Sequence, residues 1–310
     1  MGGFSQTKVH ATLGSSYQWA RLMKNGGLGL LFLLPALCVF AMFQWCPIVY
    51  GLILGFQKMI PGLPPTWVGL ANFKSVLSDS LVILSFKNTL LFVGLCLVFG
   101  YLVPVVVAIG IMELRRGQGF FRLAIYMPNI IPGIALYVMW LWMFDPAVGL
   151  LNQILSFFHL PPQEWLLAPK TALFSLMLMA TWAGFGATAL FYMAGLSAIP
   201  EELYEAAEID GAGVWQRIRH ITLPALRPTM TIMLLLQILA TVQVFQEPFV
   251  MTAGGPNNAT LTVMYQVYRY AFVYFEFGKA GALGFLTFLF LFILSFLYMR
   301  YSRIAHSEEV

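Results

Sequence analysis

Ile199-Pro200-Glu201-Glu202-Leu203-Tyr204-Glu205-Ala206-Ala207-Glu208-Ile209-Asp210-Gly211-Ala212-Gly213-Val214-Trp215-Gln216-Arg217-Ile218-Arg219-His220-Ile221-Thr222-Leu223-Pro224 separates two charge-free runs, Lys170 to Glu201 and Arg227 to Glu247. It holds five of the chain's 13 acidic residues within ten positions. The stretch reads as helix, sharp turn, helix. Pro200 suits the first helical turn, where its missing N–H costs nothing. Glu201 and Glu202 follow where the helix dipole favours negative charge. Leu203, Ala206 and Ala207 recur at i, i+3, i+4 and give one narrow apolar face. Gly211 and Gly213 end the helix, since they accept backbone angles that other residues resist. Val214 to His220 predicts a second short helix with Arg217 and Arg219, stopped by Pro224 before the next apolar run. A helix connection needs only a few residues, and a solvated face carries charge where this one has two alanines. Both features point to a partner that packs on the loop.

The flanking runs set the class of the whole chain. Lys+Arg number 17 and Asp+Glu 13, so 10% of 310 residues are charged, with 60% hydrophobic and a mean hydropathy of +0.80. A soluble domain carries about 25% charge. Composition thus excludes a soluble enzyme, a disordered chain and a nucleic-acid binder, and a net charge of +4 marks no polyanion partner. A β-barrel would alternate polar and apolar residues. The fold class expected is an all-α polytopic membrane protein.

With these two runs, six gaps between charges are long enough to span a bilayer. They predict helices near 28–54, 88–112, 123–144, 171–195, 228–249 and 280–300. The gap from Glu247 to Arg269 contains Gly254-Gly255-Pro256-Asn257-Asn258, which suits an external loop. An even number of spans puts both termini on one side. Their side holds 11 Lys and Arg, the opposite side six (Lys58, Lys74, Lys87, Lys170, Arg269, Lys279), so both termini are expected in the cytoplasm. The expected division is a cytoplasmic segment 1–27, a six-span domain 28–300 with a cytoplasmic helix-turn-helix loop at 199–224, and a cytoplasmic tail 301–310. Lys8, Arg21 and Lys24 precede the first run as in a signal peptide, but the run is too long for one and reads as a retained span. Cys38, Cys46 and Cys96 read as small buried apolar residues.

The spacing Glu205-Ala206-Ala207, three residues, Gly211, nine residues, Ile221, one residue, Leu223-Pro224 resembles the EAA motif of binding-protein-dependent ABC importer permeases. The resemblance covers roughly 28–300. Trp67-Val68-Gly69-Leu70-Ala71-Asn72-Phe73 with Asp79, Asn88-Thr89-Leu90, Arg122 with Tyr126-Met127-Pro128, Gly149-Leu150-Leu151-Asn152, Thr252-Ala253-Gly254-Gly255-Pro256 and Phe277-Gly278 are similar to the carbohydrate-uptake, maltose-permease-like branch. Ile218 departs from a Phe expected there, and the extra spans and large periplasmic domain of the maltose permease are missing. The resemblance implies a permease subunit of an ATP-driven importer, in a bacterial inner membrane. Its implied partners are a second permease, two ATPase subunits, a periplasmic or lipid-anchored solute-binding protein and a carbohydrate substrate. It assigns ATPase coupling to Glu205, Ala206, Ala207, Gly211, Ile221, Leu223 and Pro224.

No phosphate-binding loop is present, because Gly278-Lys279 lacks the upstream glycine spacing and the following Ser or Thr. ATP and Mg are therefore expected on the ATPase subunits, with no cofactor here. His10, His159, His220 and His306 are scattered, so no metal site is expected, and no catalytic set can be assembled. The alternative is an ion-coupled secondary transporter of small solutes, which usually buries charge within its spans; here only Glu247 qualifies. Candidates for a substrate path lie on the fifth span. Gln237 and Thr241 share a face at i, i+4, as do Gln243 and Glu247, with aromatic faces for sugar C–H surfaces from Trp182 and Tyr192. Interhelical hydrogen bonding explains the same polar residues equally well. Gly51 and Gly55 read as a close-packing pair.

Overall fold

A computed structural model describes residues 32–114 and 116–307, with side chains to Arg300. The expected segment 1–27, the first residues of the first span and the last three of the tail lie outside the described residues. The chain divides into two units, Met1–Ile53 and Leu54–Val310. In the first unit the helix that reaches Leu54, α1 (Phe32–Leu54), is apolar all round and contains a π-turn at Ala41–Trp45. Its side chains, Cys38 and Cys46 included, are exposed. That differs from the buried thiols expected, because no other described residue of its own unit covers α1; of the three, Cys96 is buried.

The second unit begins with a two-stranded antiparallel ribbon, β1 (Gln57–Lys58) and β2 (Thr66–Trp67), and a short helix α2 (Ala71–Ser78). The Asn72 amide donates to the carbonyls of Gly55 and Gln57 at 3.0 and 2.9 Å. Gly278 lies against the same place, where a Cβ would stand 2.3 Å from the Gln57 carbonyl oxygen. A Cβ on Gly55 would meet the Ala282 backbone at 3.0 Å, so this member of the expected pair packs closely.

α3 (Ser80–Met112) starts eight residues before the expected span. The Asp79 carboxylate explains the early start, since it caps the helix by accepting from Leu81 N–H at 2.8 Å. At 33 residues it is about 50 Å long, more than the hydrocarbon core requires. The third span is not the unbroken helix expected over 123–144. α4 (Gln118–Tyr126) and a 3-10 turn at Met127–Ile130 form one arm, α5 (Gly133–Met143) the other, and the arms meet at 97°. The cause is Pro132, which forces Ile131 out of helical backbone (ψ 127). α6 (Leu150–Phe157) follows, its approach fixed by Asn152, which accepts from Trp165 Nε1 at 2.9 Å.

α7 (Pro169–Leu196) packs along α3 and crosses α4 so closely that a Cβ on Gly186 would stand 1.8 Å from the Ile125 carbonyl oxygen. α8 (Glu201–Ile209) and α9 (Val214–Val242) come next, then α10 (Val263–Tyr268) and α11 (Phe277–Ser307). Pro224 does not stop a short helix as expected. α9 is continuous through it, because a π-turn at Ile218–Thr222 shifts the hydrogen-bond register and Pro224 falls at the start of the resumed α-helix. α11 runs to Ser307, so residues 301–307 of the expected tail continue the last helix. In all, the described residues contain five helices long and apolar enough to cross a membrane, and a sixth if the bent pair counts as one.

The loop between α9 and α10 is tied down. Asn88 Nδ2 donates to the carbonyls of Asn258 and Leu261 at 2.8 and 3.0 Å, and Thr89 Oγ1 accepts from Val263 N–H at 3.0 Å. Thr252 and Thr260 share a hydroxyl hydrogen bond of 2.7 Å, and Thr262 donates to the Val244 carbonyl at 2.9 Å. Gly254 has φ +80, and a Cβ there would press on Tyr265 at 2.8 Å. Tyr270 donates to Asp79; burial and that carboxylate push its phenol well above the ordinary range.

Candidate functional site: a hairpin and a cavity on one helix

The hairpin is built as its residues dictate. α8 carries Glu201 and Glu202 in its first turn. Its end is closed by Ala212 N–H donating to the Ala207 carbonyl at 2.8 Å, with Gly211 at φ +76. Gly211 has open space around it, so its role is conformational. Gly213, expected to share that role, has φ −69 and ψ 165, extended backbone open to any residue. Gln216 Oε1 accepts from Gly213 N–H at 2.8 Å and starts the next helix. Glu208 and Arg217 pair across the turn, and Tyr204 and Thr222 share a hydrogen bond of 3.0 Å.

The seven residues assigned to coupling fall in three places. Glu205 and Ala206 are exposed. Ala207, Gly211 and Ile221 line one hollow of about 320 Å³ together with Asp210, Arg217 and His220. Leu223 packs inward against the buried cluster of Val105, Tyr192 and Leu226, and Pro224 follows the π-turn. Apolar side chains stand uncovered beside them: Ile209 is 88% exposed and Trp215 72%.

A second cavity, of about 460 Å³, lies between α3, α7 and the far end of α9. Gln237, Thr241, Gln243 and Glu247 all line it. Thr241 donates to the Gln237 carbonyl at 2.8 Å and Gln243 to the Leu239 carbonyl at 2.9 Å, both within their own helix. Among the described residues neither bonds to another helix. A Cβ on Gly100 would stand 3.2 Å from Gln237 Nε2, so glycine leaves that amide its room. Trp182 and Tyr192 do not line the cavity. Trp182 packs edge-on to Trp140 at 5.5 Å, and Tyr192 is fully buried. The aromatic lining comes from Phe92, Phe185 and Phe245.

The residues missed by sequence are Thr181, Gly184 and Thr188, at i, i+3, i+7 on α7. That stripe was the available signal; Trp182 lies one position, about 100°, away from it. Glu247 also lines a neighbouring cavity of about 310 Å³ beneath the bend, with Pro128, Asn129 and Tyr137. There the Tyr137 hydroxyl donates to Gln246 Oε1 at 3.0 Å. No group of three or more His, Cys, Asp or Glu able to hold a metal occurs among the described residues.

Residues 100–305 match the family described as binding-protein-dependent transport system inner membrane component. The trehalose/maltose transport system permease protein MalF of Thermococcus litoralis is 31% identical over 281 residues, 90% of this chain and 95% of that one. The sn-glycerol-3-phosphate transport system permease protein UgpA of Agrobacterium fabrum is 36% identical over 227 residues, 71% of this chain and 75% of its own. In three dimensions the chain is similar to a chain of a bacterial ABC transporter involved in the import of the acidic polysaccharide alginate. The TM-score is 0.82 at 25% identity, covering 93% of this chain and 98% of that one. The chain is equally similar, at a TM-score of 0.82 and 25% identity, to a chain of a bacterial alginate ABC transporter in complex with an alginate pentasaccharide-bound periplasmic protein. The chain belongs to the family of binding-protein-dependent transport system inner membrane components.

Proposed function

We propose that this family member is one of two permease subunits of an ATP-driven importer, and that the solute it carries is a carbohydrate. The observation that carries the reading is the position of the two sites on one element. α9 begins in the hairpin and ends at a cavity lined by amides, hydroxyls and phenyl faces. Amides and hydroxyls match sugar hydroxyls, and phenyl faces match sugar C–H surfaces. A second permease completes the path, and two ATPase subunits, which hold ATP and Mg, dock on the hairpin. A solute-binding protein delivers sugar at the opposite face. In the proposed complex the hairpin and both termini lie in the cytoplasm, a reading that the bias of Lys and Arg supports. No ATP chemistry is assigned to this chain.

Reconstitution tests the reading. In proteoliposomes the complete complex is expected to take up saccharide only with ATP and the binding protein. The chain alone is expected to neither hydrolyse ATP nor move sugar. Saccharide uptake by the chain alone, driven by an ion gradient, would overturn the proposal in favour of a secondary transporter.

A further inference from the structure

Resting on the carbohydrate reading, we infer that the path selects uncharged saccharides and rejects anionic ones: among the described residues, this chain's share of the polar wall combines neutral amides and hydroxyls with a single carboxylate, Glu247, and no cation. The lining residues of the 460 Å³ cavity include no Lys, Arg or His, and neither do those of the adjoining 310 Å³ cavity. Glu247 lies in both linings.

The first two cations that follow Glu247 in the chain are engaged elsewhere. Arg269 donates to Asn258 Oδ1 at 3.3 Å and to the Tyr274 hydroxyl, and Lys279 pairs with Glu276 at 2.8 Å. A uronate or phosphate entering this space would lose its hydration without a compensating charge, which is among the most costly polar transfers. Recognition of carboxylates and phosphates normally uses Arg or Lys. Glu247 makes the deficit worse: ionised, it repels an anion; protonated, it neutralises none. Selection by a repulsive group as well as by matching ones is how discrimination between near-isosteres is achieved.

The named relatives do not decide the matter, since their substrates include disaccharides, a phosphate ester and an acidic polysaccharide. The cavity does, through its chemistry.

The test is equilibrium binding to the purified transport complex without its binding protein, so that the permeases alone discriminate. The probes are neutral di- and trisaccharides and their counterparts oxidised to uronates or phosphorylated at C6. Neutral members are expected to bind at least about tenfold more tightly than their anionic partners, and Glu247→Gln to narrow that ratio severalfold. Equal or tighter binding of the anionic members overturns the inference and leaves the carbohydrate reading standing. An unchanged ratio in a folded Glu247→Gln complex also overturns it, because selectivity then resides elsewhere. Binding of neither series overturns the carbohydrate reading and this inference together.

Discussion

The hairpin Glu201–Thr222 and the loop Thr252–Thr262 both join helices, and both carry residues that resemble family motifs, but their side chains are used differently. In the loop, Asn88, Thr89, Thr260 and Thr262 close a ring of hydrogen bonds within the chain. In the hairpin the turn is closed by its own backbone and by Gln216, while Glu205, Ala206, Ile209 and Trp215 stand uncovered. The loop's motif is explained by this chain alone. The hairpin's is not, so its side-chain choice answers to something that covers it. An exposed apolar group rimmed by charge is the usual mark of a docking surface.

The difference predicts effects of different kind and size. Glu205→Ala should weaken association with the ATPase subunits about a hundredfold, by leaving a cation on the docked partner without its charge. The thermal midpoint of the isolated chain should not move. A lowered midpoint with intact association would erase the contrast.

Asn88→Ala should do the opposite. It strips the Leu261 carbonyl of a buried donor and removes one of two donors to the Asn258 carbonyl, costing about 1–3 kcal/mol of stability. The thermal midpoint of the assembled complex should fall by several degrees, with ATPase association retained.

The smallest effect sharpens the comparison inside the hairpin. Gly211→Ala places a side chain at φ +76 and should cost about 1 kcal/mol. Gly213→Ala, at ordinary backbone angles, should change stability by less than about 0.5 kcal/mol. Hydrogen exchange of the Ala207–Ala212 amides separates the two, and equal protection in both variants would refute the division of roles.

Most of the architecture is legible in charge spacing, because long apolar runs have few alternatives in a bilayer. The helix-turn-helix is legible through Pro200, the paired glutamates and Gly211. What escaped depended on neighbours. Pro132 breaks the third span, whereas Pro104, Pro224 and Pro228 sit inside continuous helices; proline alone does not tell these apart. Trp182 and Tyr192 are chemically suited to a sugar, but helix phase turns the first toward Trp140 and buries the second beside Leu226. Gln237 with Thr241, and Gln243 with Glu247, are legible as two polar pairs because i, i+4 spacing needs no tertiary information.

The unbroken course of α9 carries a mechanical consequence. Its 29 residues correspond to a rod of about 43 Å, with Gly213 at one end and Thr241 near the other. A tilt of about 5° at the hairpin end moves the far end by about 4 Å, the size of a sugar ring's thickness. Under the proposed function the helix acts as a lever whose short travel at the turn is amplified at the cavity wall. Gly211 itself has open space around it, so the pivot and the lever are adjacent in sequence. Force applied at one surface then reaches the solute-sized space through a single covalent element, with no relay of side chains between them.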